Sequence, residues 1–336
     1  MGFSVLYHDY AQKPILLLFF LQDYVKILSG DKWMKKQLKG SITLIFATII
    51  WGSTFVAQSV GMDYIGPFTF QAVRCLLGGL FLLAVIAVAD RFKKADGKTY
   101  FTRWQDKTLW KAGLICSIPL FIATNLQQIG IVDTDAGKSA FLTAMYIVFV
   151  PVIGIFSGHK PTRWIPLSVL LGVAGLYFLS CVGVTTVATS DLLLLGCALA
   201  FAVQILCVDN FANKVDPLRL NCISCLICGA LSAVVMFLIE DPTWAGIRGC
   251  FGSLAYAGIL SMGIAYSLQI IGQKDLHPAT ASLLMSLESV FAILSGWLVL
   301  GERLTQWETL GCVLVFASVI LSQLPDSKQV NKKAPC

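Results

Sequence analysis

The chain has 336 residues, 57% of them apolar and only 13% charged, with a mean hydropathy of +0.76. A water-soluble domain carries roughly a quarter charged residues, so the composition excludes that class and reads as an all-α integral membrane protein. The formal net charge of +6 follows from basic residues concentrated in one set of loops, which excludes nucleic acid as the partner it would otherwise suggest.

Residues 1–37 form an N-terminal extension. Its apolar run from Ile15 to Leu21 spans seven residues, too few to cross a bilayer, and no small-residue cleavage motif follows, so a signal peptide is not expected. Met34-Lys35-Lys36 reads like a natural start, which leaves residues 1–33 as an over-extended reading frame or an interfacial segment. A bilayer core of about 30 Å needs roughly 20 apolar residues per helix. Ten stretches qualify, near 40–60, 67–90, 109–131, 137–157, 162–183, 190–208, 218–239, 248–271, 278–300 and 306–324, followed by a tail over 325–336. Eleven cysteines are an odd number, most of them inside these helices. Cys222, Cys225 and Cys228 share a stripe of the seventh helix with no histidine nearby, so packing is expected there and neither a metal nor a cofactor.

The chain repeats itself. At a shift of about 150 residues Trp51 falls on Phe201, Pro67 on Pro217, Cys75 on Cys225 and Gly79 on Gly229; at about 142, Leu126-Gln127-Gln128 falls on Leu268-Gln269-Ile270, Asp133 on Asp275 and Tyr146 on Glu288. Two five-helix units, 38–183 and 190–324, are therefore expected. An odd number of spans per unit makes the second enter the membrane from the opposite side, giving two inverted repeats. With both termini cytoplasmic, nineteen lysines and arginines lie inside and only Lys138, Arg248 and Arg303 outside, which fixes the expected orientation in the cell membrane, as in a bacterial inner or plasma membrane.

Polar side chains inside hydrocarbon need an interior partner or a wet cavity, so they form the candidate pathway. Glu288 lies ten residues beyond Pro278, ~15 Å along the ninth helix and close to the midplane. Ala281, Met285, Ala292 and Ser295 share its face, so it should look inward, either as a site for a substrate amine or proton, or as a structural acid bonded to neighbouring helices. Arg74 lies ~10 Å past Pro67, nearer the outer face; it could bind a carboxylate, but snorkelling or tying helix ends is the simpler role. Trp51, Asn125, Gln128, Tyr146, Gln204, Tyr266 and Gln269 complete the candidate lining, with Ser53, Thr54, Gln58, Gln71, Thr143 and Ser224 as further interior polar groups.

Trp51-Gly52-Ser53-Thr54-Phe55 in the first helix, and Leu287-Glu288-Ser289-Val290-Phe291 running to Leu300-Gly301-Glu302-Arg303-Leu304, resemble the EamA-type branch of the drug/metabolite transporter superfamily over about residues 38–323. The resemblance implies ten helices in a five-plus-five inverted repeat that moves small solutes by alternating access, usually exporting metabolites such as amino acids. The family commonly has Pro after the ninth-helix Glu, where this chain has Ser289, so a less kinked ninth helix is expected. The partners are then a small-molecule substrate, membrane lipid and, where coupling runs through Glu288, a proton. A membrane-embedded enzyme would show clustered acids for a metal or a nucleophile beside a base, and a channel a filter or a ring of like charges; the sequence has neither pattern.

Overall fold

A computed structural model describes residues 32–92, 104–159, 161–180, 188–300 and 305–324. The expected extension through residue 31, the basic loop 93–103, Lys160, the 301–304 junction and the tail 325–336 lie outside the described residues. Among the described residues there is no strand.

The first helix is Lys32–Met62, the second Pro67–Phe92 and the third Lys107–Val132. The fourth comprises Ala136–Ala144 and Tyr146–Phe156, the fifth is Ile165–Ser180 and the sixth Thr189–Ala212. The seventh is Pro217–Ile239, the eighth Phe251–Gln273, the ninth Pro278–Met285 followed by Leu287–Leu300, and the tenth Gln306–Ser322. Eight of these are long and apolar enough to cross a membrane, while the fifth and tenth are shorter apolar helices of 16 and 17 residues. The fifth begins later than expected because Arg163 and Trp164 form a turn.

Prolines start the second, seventh and ninth helices, where the missing N–H costs nothing. Large apolar side chains such as Phe46, Leu80, Leu170 and Phe237 point outward, while Gln71, Gln128, Ser168 and Ser282 are buried. A multi-pass membrane protein has this distribution, because lipid rather than water meets its outer face.

Three spans depart from regular α-helix. The fourth and ninth are each broken near their middle, at Met145 and at Ser286. At the breaks the bonding tightens to i→i+3, with Val148 N–H donating to Met145 C=O and Ser289 N–H to Ser286 C=O. The less kinked ninth helix expected from Ser289 is therefore corrected: no proline is needed at that position, since the interruption lies three residues earlier.

The eighth span, expected to be plain α-helix, opens into a ten-residue π-helix over Tyr256–Ala265. Gly258 permits it, because a Cβ there would lie 2.9 Å from the Arg74 carbonyl oxygen on the second helix. Where π returns to α, Asn221 of the seventh helix donates to the Met262 and Gly263 carbonyls at 2.8 and 3.1 Å, so the rearranged backbone stays satisfied within the bundle.

Packing between the two halves is reciprocal. The second helix lies against the seventh and the fifth against the tenth, while the third-with-sixth and fourth-with-sixth contacts recur as eighth-with-first and ninth-with-first. A Cβ at Gly79 would meet Leu226 and one at Gly229 would meet Leu76; these are corresponding positions of the repeat. The helix ends match as well: Glu240, ending the seventh helix, accepts from the Phe68 and Thr69 N–H groups that start the second. Asp90, near the end of the second, pairs with Arg219 at the start of the seventh. The fourth and sixth helices are tied twice, by Lys138 on Asp191 at 2.8 Å and by His159 on Asp209 at 3.1 Å.

Candidate functional site

A cavity opens where the first, second, third, fourth, sixth, eighth and ninth helices converge. Each helix contributes by its own periodicity. The first supplies Trp51, Phe55 and Gln58 at i, i+4 and i+7; the sixth supplies Phe201, Gln204 and Ile205 at i, i+3 and i+4; the eighth supplies Met262, Tyr266 and Gln269, again at i, i+4 and i+7. Arg74, Gln127, Tyr146, Ser261, Met285 and Glu288 complete the lining.

Glu288 follows the break in the ninth helix and Tyr146 the break in the fourth. The Tyr146 hydroxyl donates to Glu288 Oε1 at 2.9 Å, so two residues that correspond in the repeat meet directly. The backbone that carries Glu288 lies close to the first helix because Gly52 lacks a Cβ: one built there would sit 2.7 Å from the Glu288 backbone carbonyl oxygen.

Arg74 is 2% exposed, which corrects the expectation of an arginine that snorkels to the interface. The π-helix packs over its backbone, and its Nε donates to Gln71 Oε1 at 2.6 Å while the guanidinium lies over the Phe70 ring. It makes no ion pair among the described residues. Tyr266 lines the same cavity as Arg74 and Glu288, and its ring meets that of Trp51 edge to face at 5.0 Å.

Seven of the nine expected lining residues thus come together: Trp51, Arg74, Tyr146, Gln204, Tyr266, Gln269 and Glu288. Two do not. Asn125 turns to the seventh helix, donating to the Ser232 hydroxyl at 2.9 Å and to its own Phe121 carbonyl. Gln128 is fully buried off the cavity, accepting from Gln58 at 3.0 Å and contacting the Met62 sulfur. Its neighbour Gln127 faces the cavity instead, since adjacent helical residues point about 100° apart. The alignment of Gln127 with Gln269 is the sequence signal that would have identified it. Gln58 also lines the cavity, while Ser53 hydrogen-bonds Tyr256 and Gln71 donates to Thr124 at 2.7 Å.

Comparison with known proteins agrees with this architecture. A crystal structure aligns with a TM-score of 0.69 at 18% identity, covering 86% of this chain and 98% of the other. An uncharacterized transporter of Archaeoglobus fulgidus is 28% identical over 90% of this chain and 91% of its own length. The uncharacterized transporter YoaV of Bacillus subtilis is 24% identical over 87% and 99%. The threonine/homoserine exporter RhtA of Salmonella typhimurium is 30% identical over 54% of this chain and 63% of that protein. The model of the EamA-like transporter family matches twice, over residues 38–181 and 188–324, and the chain belongs to that family.

Proposed function

We propose that this transporter is a secondary-active exporter of small zwitterionic metabolites of the amino-acid type, working by alternating access. One observation carries the reading: a buried guanidinium with no ion pair among the described residues, Arg74, and a buried carboxyl, Glu288, line the same cavity. An uncompensated charge in a low-dielectric interior is costly unless a ligand pairs with it. The cargo carboxylate goes to Arg74. Its ammonium goes to Glu288, which takes a proton when the ammonium leaves, so that inward proton flow and outward cargo flow compete for one acid.

The reciprocal halves supply the second element, because inverted repeats rocking about a central site expose it to each side in turn. The two ties between the fourth and sixth helices lie at opposite ends of the bundle, Lys138–Asp191 at one and His159–Asp209 at the other. Opening one end breaks one tie. The charge bias of the loops supports cytoplasmic termini in the cell membrane. RhtA, the partial relative named for threonine and homoserine export, supports the amino-acid class.

Untargeted metabolomics of cells and medium with and without the protein should show an amino acid depleted inside and enriched outside. Uptake of that compound into everted vesicles should then follow an imposed proton gradient. Uptake that ignores both the gradient and the protein would refute the reading.

A further inference from the structure

Resting on the amino-acid reading of the cavity, a narrower statement about the cargo follows from two lining groups that make no hydrogen bond within the protein: the indole Nε1 of Trp51 and the amide Oε1 of Gln269. The orientation of the Gln269 amide is fixed by a chain of partners. Gln273 Nε2 donates to the Ile205 backbone carbonyl at 3.2 Å, so Gln273 presents its oxygen to Gln269. Gln269 must answer with its nitrogen, at 2.9 Å to Gln273 and 3.2 Å to Gln204 Oε1. Its own oxygen is left over as an acceptor. The side chain is 2% exposed.

The repeat counterparts of these two residues lack this feature. Gln127 is satisfied at both ends, accepting from Gln58 at 3.2 Å and donating to Thr143 at 3.4 Å, and the partner of Trp51 in the alignment is Phe201, which has nothing to donate. The two halves therefore differ in the cavity by one unused donor and one unused acceptor. They belong to one wall: the Trp51 ring rests edge to face on Tyr266, which precedes Gln269 by one helical turn.

We infer that Trp51 and Gln269 together read a hydroxyl or carboxamide in the side chain of the cargo. Such a group accepts from the indole N–H and donates to the Gln269 oxygen at once. An apolar side chain of the same shape would leave both protein groups buried and unpaired, and sites built this way reject the analogue lacking the polar group.

The test uses isosteric pairs in everted vesicles, threonine against valine and homoserine against norvaline, comparing kcat/KM at matched protein level. The hydroxylated member should be favoured by about 10- to 100-fold. That ratio should fall toward one in Trp51→Phe and in Gln269→Leu. The first variant removes no hydrogen bond made within the protein, so it keeps the test decisive if the second fails to fold. Equal handling of threonine and valine by the natural protein overturns the inference, as does an unchanged ratio in Trp51→Phe. With asparagine against leucine added as the carboxamide pair, transport of none of these compounds overturns the inference, while the amino-acid reading falls separately if the metabolomics shows no amino acid enriched outside.

Discussion

Replacing Gly52 by alanine tests whether the close approach of the first and ninth helices sets the site. An ideal Cβ at Gly52 would lie 2.5 Å from the Phe291 Cβ and 2.7 Å from both the Glu288 carbonyl oxygen and the Ala292 nitrogen, where ordinary contact begins near 3.4 Å. Two of these atoms are backbone and the third is a Cβ fixed to it, so relief requires the helices to part by several tenths of an ångström or more. Overpacking of this kind costs about 1–3 kcal/mol, set against a helical gain of up to ~1 kcal/mol when alanine replaces glycine. The net is a loss of about 0–2.5 kcal/mol, and about 1–3 kcal/mol relative to a glycine-to-alanine change that meets no obstruction, with Glu288 displaced relative to Tyr146. Gly252 is the control, since a Cβ there meets nothing within 4 Å, and Gly252→Ala should be neutral or slightly stabilising. Thermal unfolding of the detergent-solubilised proteins, followed by the fraction remaining monodisperse, measures the difference, and vesicle transport measures the displacement. Equal midpoints and equal flux in the two variants would refute the packing account.

Glu288→Gln keeps an oxygen to accept from Tyr146, so protein level should hold while proton-driven flux disappears and substrate exchange without a gradient persists; full gradient-driven flux in this variant removes Glu288 from the coupling role. Asn221→Leu strips the Met262 and Gly263 carbonyls of their amide partner and should cost about 1–3 kcal/mol in the same unfolding assay, a loss that Asn221→Gln does not reproduce if it reaches the same carbonyls. Single cysteines at positions 98 and 186, on a background without native cysteines, should be labelled by an impermeant reagent in intact cells only at 186, as the loop charges require; labelling at 98 alone would invert the topology.

The class of the molecule and much of its cavity were legible because lipid simplifies the rules. Apolar length marked the helices, and the repeat alignment already set Tyr146 opposite Glu288 and Gly79 opposite Gly229. Facing direction was harder to read. In helices apolar on most sides the period that separates inside from outside is weak, so Gln128 could not be told from Gln127 by pattern alone. The depth of Arg74 depends on the π-helix that packs over it, and no residue of Tyr256–Ala265 announces that geometry beyond its glycines. The breaks at Met145 and Ser286 carry neither glycine nor proline. No local residue pattern therefore marks them.

The exchange of end groups between the second and seventh helices bears on how the polypeptide can be divided. Glu240 satisfies the opening turn of the second helix, and Asp90 pairs with the Arg219 guanidinium at the start of the seventh, so each half places a carboxylate on a helix end of the other. Cut between the two matched segments, the gene would yield one fragment whose second helix starts without its carboxylate and another whose Arg219 has lost Asp90, each a target for proteolysis when made alone. Made together in one cell, the same fragments would find their missing carboxylates in each other and reassemble as a heterodimer.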